Sequence, residues 1–206
     1  MVSLTKNKNS KIIANQVIDL EIKALKSLKK SLNKNFDKAV NAIVNCQSKI
    51  ILCGVGKSGL IASKIASTMS SVGSPSFSLS ANDCLHGDLG SISKKDLLII
   101  ISNSGKSEEL LPIIKFANRN KIKLIGIMSK KKSSLYKGSD IQILLPEVKE
   151  AGLGIVPTSS TSVQLAVGDA LAVAALNKKK FSKYDFSKLH PGGNLGKQLK
   201  TVEDLM

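Results

Sequence analysis

The chain has 206 residues, of which 42% are hydrophobic, and this is enough for one domain with a substantial core. Its formal net charge is +16, but Arg119 is the only arginine among the 31 basic residues and only 3% of the residues are aromatic. Nucleic-acid binding favours arginine forks and aromatic stacking, so this composition argues against a nucleic-acid partner. The positive surface instead favours the approach of small anionic molecules.

The cysteines and the apolar segments indicate a cytoplasmic protein. Cys46, Cys53 and Cys84 form no close pair, and three is an odd number, so they fit neither a disulfide framework nor a zinc knuckle. Such cysteines are typical of a reducing compartment. No apolar stretch approaches membrane-spanning length and no signal peptide is visible, so we expect no membrane partner.

Two amphipathic helices are predicted before the first strand. Residues 1–10 are polar and are expected to be flexible. Apolar residues recur at helical spacing from Ile12 to about Leu32, and a second helix is predicted from Phe36 to Val44. Both carry more apolar surface than one small sheet needs, so we expect them to cover a sheet edge or to pair with another subunit. The stripe of the first helix comprises Ile13, Val17, Leu20, Ile22, Leu25 and Leu28.

A glycine-rich turn follows the first predicted strand, Ile50 to Cys53, and precedes a helix from Leu60 to about Ser71. The turn, residues 54–59, has the G-x-G-x-x-G pattern of dinucleotide-binding proteins. The second strand, residues 76–79, lacks the acidic residue that binds ribose, which argues against a nucleotide-binding oxidoreductase.

The same turn is not a P-loop, because Ile51 stands where that motif needs its first glycine. It leaves Lys57 at the carboxyl end of a strand, where open α/β sheets bind ligands. Farther along, residues 82–90 are predicted to be a polar loop that carries His86 beside Gly87 and Asp88. A histidine with a neighbouring carboxylate can titrate near neutral pH.

The central feature of the chain is residues 96–109. Leu97 to Ile101 predicts a strand buried on both faces, and Ser102 to Ser107 is a hydroxyl-rich turn. A helix is predicted to follow, with Glu108 and Glu109 in its first turn, and to extend to about Asn118. Free N–H groups, hydroxyls and the flexible Gly105 make this turn a candidate phosphate site.

The remaining elements complete an α/β pattern. Strands are predicted at residues 123–127 and 141–145, and a long apolar helix at about 162–176 follows the hydroxyl-rich segment 157–161. Strands that alternate with helices predict a three-layer α-β-α sandwich with a mainly parallel sheet of roughly five strands. The second histidine, His190, precedes Pro191, Gly192 and Gly193.

Taken together, several separated motifs resemble the sugar isomerase (SIS) domain of the D-arabinose 5-phosphate isomerases. The resemblance covers about residues 15–206, and the proposed domain covers residues 11–200, with residues 201–206 similar to the start of a CBS module. The motifs are residues 54–59, 86–90, 102–105, 157–161, 168–172 and 190–193.

The resemblance implies conversion of D-ribulose 5-phosphate to D-arabinose 5-phosphate without a cofactor, in a homotetramer that supplies synthesis of the lipopolysaccharide sugar Kdo. It implies catalytic roles for Lys57, Glu109, Glu150 and His190. The predicted substrate-binding residues are Gly56, Ser58, Asp83, His86, Ser102, Asn103, Ser104, Ser107, Thr158 and Ser159.

This chain departs from the family pattern in three places. Lys106 stands where glutamate is frequent, and the loop from Glu150 to Gly154 lacks a Cys-Pro pair. Ser80 aligns with a histidine that can bind an inhibitory metal, so we predict no metal site.

Moving a proton between C1 and C2 of a sugar through an enediol needs a carbon base, a proton shuttle and a phosphate anchor. Glu109 and Glu150 are both candidates for the base, and the sequence does not distinguish them. Two alternatives remain open. One is a sugar-phosphate sensor without catalysis, and the other is an isomerase of a longer phosphosugar such as sedoheptulose 7-phosphate.

Overall fold

A parallel sheet of five strands forms the centre of the computed structural model, which describes residues 9–192. The strand order β2-β1-β3-β4-β5 and the parallel pairing of every neighbour confirm the predicted sheet. The strands are β1 (Ile50–Gly54), β2 (Ser76–Ser80), β3 (Leu97–Ile101), β4 (Lys123–Met128) and β5 (Ile141–Leu144).

Helices cover both faces of the sheet, which confirms the three-layer sandwich. The longer ones are α1 (Ser10–Ser31), α2 (Lys34–Val44), α3 (Lys57–Ser71), α5 (Leu110–Arg119) and α7 (Ser159–Lys178). The shorter ones are α4 (Ala81–Cys84), α6 (Ser134–Gly138) and α8 (Lys183–Leu189), with a 3-10 turn at Asp88–Ser91.

Two hydrophobic cores lie on opposite faces of the sheet because successive strand side chains point in opposite directions. Every residue of β3 is buried. Ile99 packs in the core formed with α1, α2, α3 and α7, whereas Ile100 packs in the core formed with α4, α5 and α6. The continuous Ile-rich run in β3 therefore serves both cores at once, as expected of a central parallel strand.

Close packing holds α3 against the end of β1. A Cβ atom on Gly59 would lie 2.9 Å from the carbonyl oxygen of Gly54, and one on Gly54 would lie 2.8 Å from backbone atoms of Ser58. The first and third glycines of the G-x-G-x-x-G pattern therefore allow the strand and helix backbones to touch. They act in packing, so the pattern needs no dinucleotide to explain it.

The apolar stripe of α1 is buried only in part. Leu28 lies in the core, but Ile18, Ile22 and Leu25 are 53%, 43% and 38% exposed. This exposure agrees with the expectation that α1 carries more apolar surface than one sheet needs, and its pairing with another subunit stays a prediction. Periodicity showed that one face of α1 is apolar, but it did not show that only the C-terminal part of the helix packs on the domain.

Several boundaries differ from the predicted ones. Helix α1 begins at Ser10 with an Asn9 cap, inside the segment expected to be flexible, and α7 begins at Ser159, one turn early. Helix α5 begins at Leu110, so Glu108 and Glu109 precede it. Pro112 allows this late start, because a proline in the first turn removes no helical hydrogen bond.

Two further helical segments were not predicted. The segment expected to be a polar loop, residues 82–90, contains most of α4 and the start of the 3-10 turn. Helix α8 is capped by Ser182, whose hydroxyl accepts from the Asp185 N–H while the Asp185 carboxylate accepts from the Ser182 N–H. This capping box was the sequence pattern that could have located α8.

One helix in the described part of the chain has the length and composition of a membrane span, which corrects the expectation that none would. It is α7, of 20 residues, and half of its most apolar window is buried inside the domain. Its neighbours there are α1, α2 and α3. This packing is that of a central core helix. Residues 193–206, including the predicted CBS-like segment 201–206, lie outside the described residues.

Candidate active site

The carboxyl ends of β1 and β3 face the start of α7 and, together with the loop before it, line an open cavity of 460 Å³. We call it the Lys57–Glu150 cavity. It brings together three of the predicted features, namely the glycine turn, the hydroxyl-rich turn and the loop before α7. Its polar lining comprises Lys57, Ser58, Asn103, Glu150, Ser160, Thr161 and Gln164.

Glu150 is held by the first turn of α7. Its Oε2 atom accepts hydrogen bonds from the backbone N–H groups of Thr158, at 3.0 Å, and Ser160, at 3.2 Å. The hydroxyl oxygen of Thr158 lies 3.3 Å from the same atom. Within residues 9–192 the other carboxylate oxygen, Oε1, makes no hydrogen bond. One oxygen therefore fixes the side chain while the second is available to a ligand.

The same contacts keep Glu150 ionised. Partial burial raises the pKa of its carboxyl group, but hydrogen bonds from Ser160 and Thr158 outweigh burial and lower the pKa below the usual value for glutamate. The positive end of the α7 dipole acts in the same direction. Near neutral pH, Glu150 is thus a negative charge in the cavity, able to accept a proton.

Lys57 supplies the opposite charge. It is the first residue of α3 and is exposed to solvent. The preceding Gly56 has a φ of 57°, and a Cβ atom built on it would meet nothing within 4 Å. The glycine therefore permits a left-handed turn that faces open space, and this turn carries Lys57 into the mouth of the cavity.

The hydroxyl-rich turn is shaped by internal hydrogen bonds. The Gly105 N–H donates to the Ser102 hydroxyl at 3.1 Å, and the Lys106 N–H donates to the Ser104 hydroxyl at 3.2 Å. Ser102 is buried and has its hydroxyl 3.4 Å from that of Ser107. Ser102 thus shapes the turn through these contacts, and its predicted contact with substrate stays a prediction.

Backbone donors remain available at this turn. Within residues 9–192, the N–H groups of Ser104, Ser107, Glu108 and Glu109 have no hydrogen-bond partner. Four free donors before a helix are the arrangement expected of an anion site.

Ser104 and Lys106 line a different cavity of 670 Å³ together with Lys130, Lys131 and Lys132. Lys130 is paired with Glu147 at 2.7 Å. The Lys106 departure from the family pattern therefore adds positive charge beside the turn, while Asn103 faces the Lys57–Glu150 cavity.

Two other predicted residues lie at a third cavity. Gly56 and Asp83 line a space of 460 Å³ between β1, β2 and α4. His86 follows α4 and is exposed, but it lines none of the cavities described here. The structure therefore places His86 near the sheet's carboxyl edge without bringing it to Lys57.

Glu109 and His190 also lie outside the Lys57–Glu150 cavity. Glu109 is half-buried at the start of α5. His190 ends α8, where its ring stacks on Phe186 with the ring centroids 3.8 Å apart and its Nδ1 lies 2.8 Å from the Phe186 carbonyl oxygen. Within residues 9–192 of one chain, therefore, only two of the four predicted catalytic residues line the same cavity. They are Lys57 and Glu150.

Thr158 is the N-cap of α7 and Ser159 is its first residue; within the described residues the Ser159 hydroxyl has no hydrogen-bond partner. The Thr158 hydroxyl accepts from the Ala151 N–H at 3.1 Å and approaches Glu150. The side chain of Ser159 is fully buried and does not line the cavity. Both were predicted to bind substrate. The first turn of α7 points Thr158 at the loop and Ser159 into the core, and their predicted contacts with substrate stay predictions.

Gln164, which no sequence motif indicated, lines the same cavity from the second turn of α7. Gln164 is 1% exposed, and within the described residues its Oε1 atom has no hydrogen-bond partner. A buried amide oxygen left unpaired costs roughly 1–3 kcal/mol. A single amide in the apolar run Val163 to Val167 was the pattern that could have drawn attention to it.

No group of three or more metal-ligating side chains occurs within the described residues. The Ser80 hydroxyl accepts from the Asp83 N–H and caps α4. The predicted absence of a metal site stays a prediction.

Comparison with known proteins identifies the family. The model of the SIS domain family matches residues 43–174. The arabinose 5-phosphate isomerase KdsD of Yersinia pestis is 42% identical over 193 residues, which are 93% of this chain and 59% of that relative. The corresponding protein of Francisella tularensis is 41% identical over 210 aligned residues, which cover 100% of this chain and 63% of the relative. The chain spans about three fifths of the length of these curated relatives.

A solved structure shows the same likeness. A protein of Escherichia coli CFT073, solved in complex with arabinose 5-phosphate, superimposes with a TM-score of 0.85 at 37% sequence identity. The match covers 89% of this chain and 99% of that chain. The resemblance to the arabinose 5-phosphate isomerases that the sequence motifs predicted is confirmed.

Proposed function

Because the chain belongs to the SIS domain family, we propose that it is an aldose–ketose isomerase of sugar phosphates. The reaction that we propose interconverts D-ribulose 5-phosphate and D-arabinose 5-phosphate, and so supplies the synthesis of Kdo. The observation that carries the proposal is that an ionised Glu150 and Lys57 line one cavity, beside a turn with free backbone donors. The names of the relatives and the arabinose 5-phosphate bound to the Escherichia coli CFT073 protein support the choice of substrate.

Glu150 is the better candidate for the carbon base, since Glu109 does not line the cavity. In the aldose-to-ketose direction, its free Oε1 takes the proton from C2, the C–H electrons form the C1–C2 double bond, and the carbonyl electrons move to O1. The proton then returns to C1, and the O2 hydroxyl loses its proton as the new carbonyl forms. The contacts on Oε2 hold the carboxylate in position and lower its basicity.

A weak base can remove a proton from carbon only if the C–H bond of the substrate is made more acidic. Lys57 has this effect, because its ammonium group stabilises the negative charge that develops on the enediolate oxygens. The second requirement, a group that moves a proton between O1 and O2, is assigned to His190. The hydroxyl-rich turn and its free N–H groups bind the phosphate and hold the sugar in place.

His190 reaches the cavity from another subunit in this account. The exposed apolar residues of α1, including Ile18 and Ile22, provide a surface for assembly. The loop beside Glu150 also carries Leu153 and Ile155, which are 97% and 74% exposed. Apolar side chains so exposed beside a cavity support a homo-oligomer, for which we propose a tetramer.

The test is a coupled assay of purified protein against aldose and ketose phosphates of five to seven carbons. The expected result is turnover of the five-carbon pair and a loss of at least about a hundredfold in Lys57→Ala, the scale of an electrostatic catalytic group. Lys95→Ala is the matched control, since Lys95 is exposed at the amino end of β3. Turnover of a seven-carbon pair alone would favour the alternative substrate, and binding without turnover would favour a sensor.

A further inference from the structure

We propose that Gln164 is a substrate-binding residue whose side-chain amide accepts a hydrogen bond from a non-reacting hydroxyl of the sugar chain. The inference rests on the proposed function and deepens it, because it names the part of a polyhydroxy sugar phosphate that this cavity recognises. Among the residues of the cavity, Gln164 is the one whose polar atom is buried and still lacks a partner within the described part of the chain.

Folding alone does not explain an amide at this position. Gln164 lies between Val163 and Leu165 in a helix whose neighbouring positions are apolar or small. Its side chain is 1% exposed, and a leucine or methionine of similar size would fill the same space without leaving a polar atom unpaired. The amide therefore costs stability unless a group from outside the chain completes its hydrogen bonding.

The position along α7 points to a ligand in the Lys57–Glu150 cavity. Residues three and four apart lie on the same helix face, so Gln164 lies one turn below Ser160 and Thr161, which line the same cavity. The Ser160 N–H anchors the Glu150 carboxylate. Gln164 therefore lies about 6 Å farther along α7 than Ser160, whose backbone N–H holds the carboxylate of the proposed base Glu150.

The chemistry of an amide suits a hydroxyl that must be held but not altered. Lys57 can only donate a hydrogen bond, and the free oxygen of Glu150 is assigned to the reacting carbon. A neutral amide oxygen accepts from a sugar hydroxyl without competing for a proton, and its NH₂ group can donate in return. Gln164 thus favours sugars that carry a hydroxyl within its reach on a carbon other than C1 and C2.

The test compares Gln164→Leu with the wild type by calorimetry. The ligands are D-arabinose 5-phosphate, its analogues that each lack one hydroxyl, and inorganic phosphate. The variant should bind the sugar phosphate about tenfold more weakly and inorganic phosphate equally well. Removal of one particular hydroxyl from the sugar should weaken binding to the wild type by about the same factor. The same removal should not weaken binding to Gln164→Leu any further, which is the result expected if Gln164 contacts that hydroxyl directly. Gln47→Leu, the same change at an exposed position, is the control and should bind every ligand as the wild type does.

A purely structural role predicts another pattern. In that case Gln164→Leu would leave every affinity unchanged, whatever its melting temperature, and this result overturns the inference. Equal loss of affinity for sugar phosphate and inorganic phosphate also overturns it, since that indicates collapse of the cavity. A wild type that binds the sugar phosphate without turnover refutes the proposed isomerase but leaves the binding role of Gln164 testable by the same cycle. A wild type that binds no sugar phosphate refutes both.

Discussion

Replacing Glu150 by glutamine tests whether this carboxylate holds the start of α7. The change keeps the shape of the side chain but removes its charge. Its Oε2 atom accepts from two backbone N–H groups and lies 3.3 Å from the Thr158 hydroxyl. Hydrogen bonds to a charged group contribute roughly 1 kcal/mol more than neutral ones. Since solvent screens this partly exposed side chain, we expect a total loss of about 1–2 kcal/mol in the free energy of unfolding.

The loss should depend on pH. The pKa of Glu150 is lowered in the folded state, so its contribution is fully present above the unfolded value and is lost as the pH falls through the folded value. The wild type should therefore be more stable than Glu150→Gln near neutral pH, and the difference should shrink as the pH falls below about 4.5.

Urea unfolding at a series of pH values measures this difference directly, and the melting temperature should fall by about 3–6 °C near pH 7. Glu147→Gln is a matched control, since Glu147 is 69% exposed and pairs only with the surface residue Lys130 within the described residues. Its effect should stay within about 0.5 kcal/mol. If Glu150→Gln is as stable as the wild type near neutral pH, Glu150 does not cap α7 and the reasoning about its lowered pKa is wrong.

Three further predictions concern the scaffold, the phosphate turn and assembly. Burial raises the pKa of Asp96, but hydrogen bonds from Ser93 and Lys49 lower it to about 2. Asp96→Asn should therefore cost about 2 kcal/mol in urea unfolding near neutral pH and nothing below about pH 2. Ser104→Val should weaken binding of a five-carbon sugar phosphate at least tenfold by calorimetry, and unchanged affinity would remove this turn from the site. Ile22→Glu should shift light scattering towards smaller species, and a wild type that is itself an active monomer would contradict the assembly.

The sequence predicted the sheet well because its strands are strongly apolar. The boundaries of β3 agree with the prediction at both ends, since Leu97 to Ile101 is an uninterrupted apolar run between polar residues. The parallel arrangement followed from the alternation of strands and helices. The glycine turn and Lys57 were also located correctly at the carboxyl edge of the sheet.

Side-chain direction was much harder to predict. Ser102, Thr158 and Ser159 all lie in hydroxyl-rich segments, but the structure uses the first two in internal hydrogen bonds and buries the third. The pattern of residue types does not reveal which hydroxyls a turn consumes. Gln164 was missed for a different reason. It lies in an apolar helix, and only the structure shows that its side chain lines the same cavity as Glu150.

The central claim is that Glu150 moves a proton between C1 and C2 of a five-carbon sugar phosphate through an enediol. NMR of D-ribulose 5-phosphate in D₂O with the wild type and Glu150→Gln tests it most directly. The wild type should form D-arabinose 5-phosphate that carries deuterium at C2, and Glu150→Gln should lose both conversion and exchange by at least about a hundredfold while still binding the substrate. Exchange at the wild-type rate in Glu150→Gln, or a wild type that neither exchanges nor isomerises this substrate, would contradict the account.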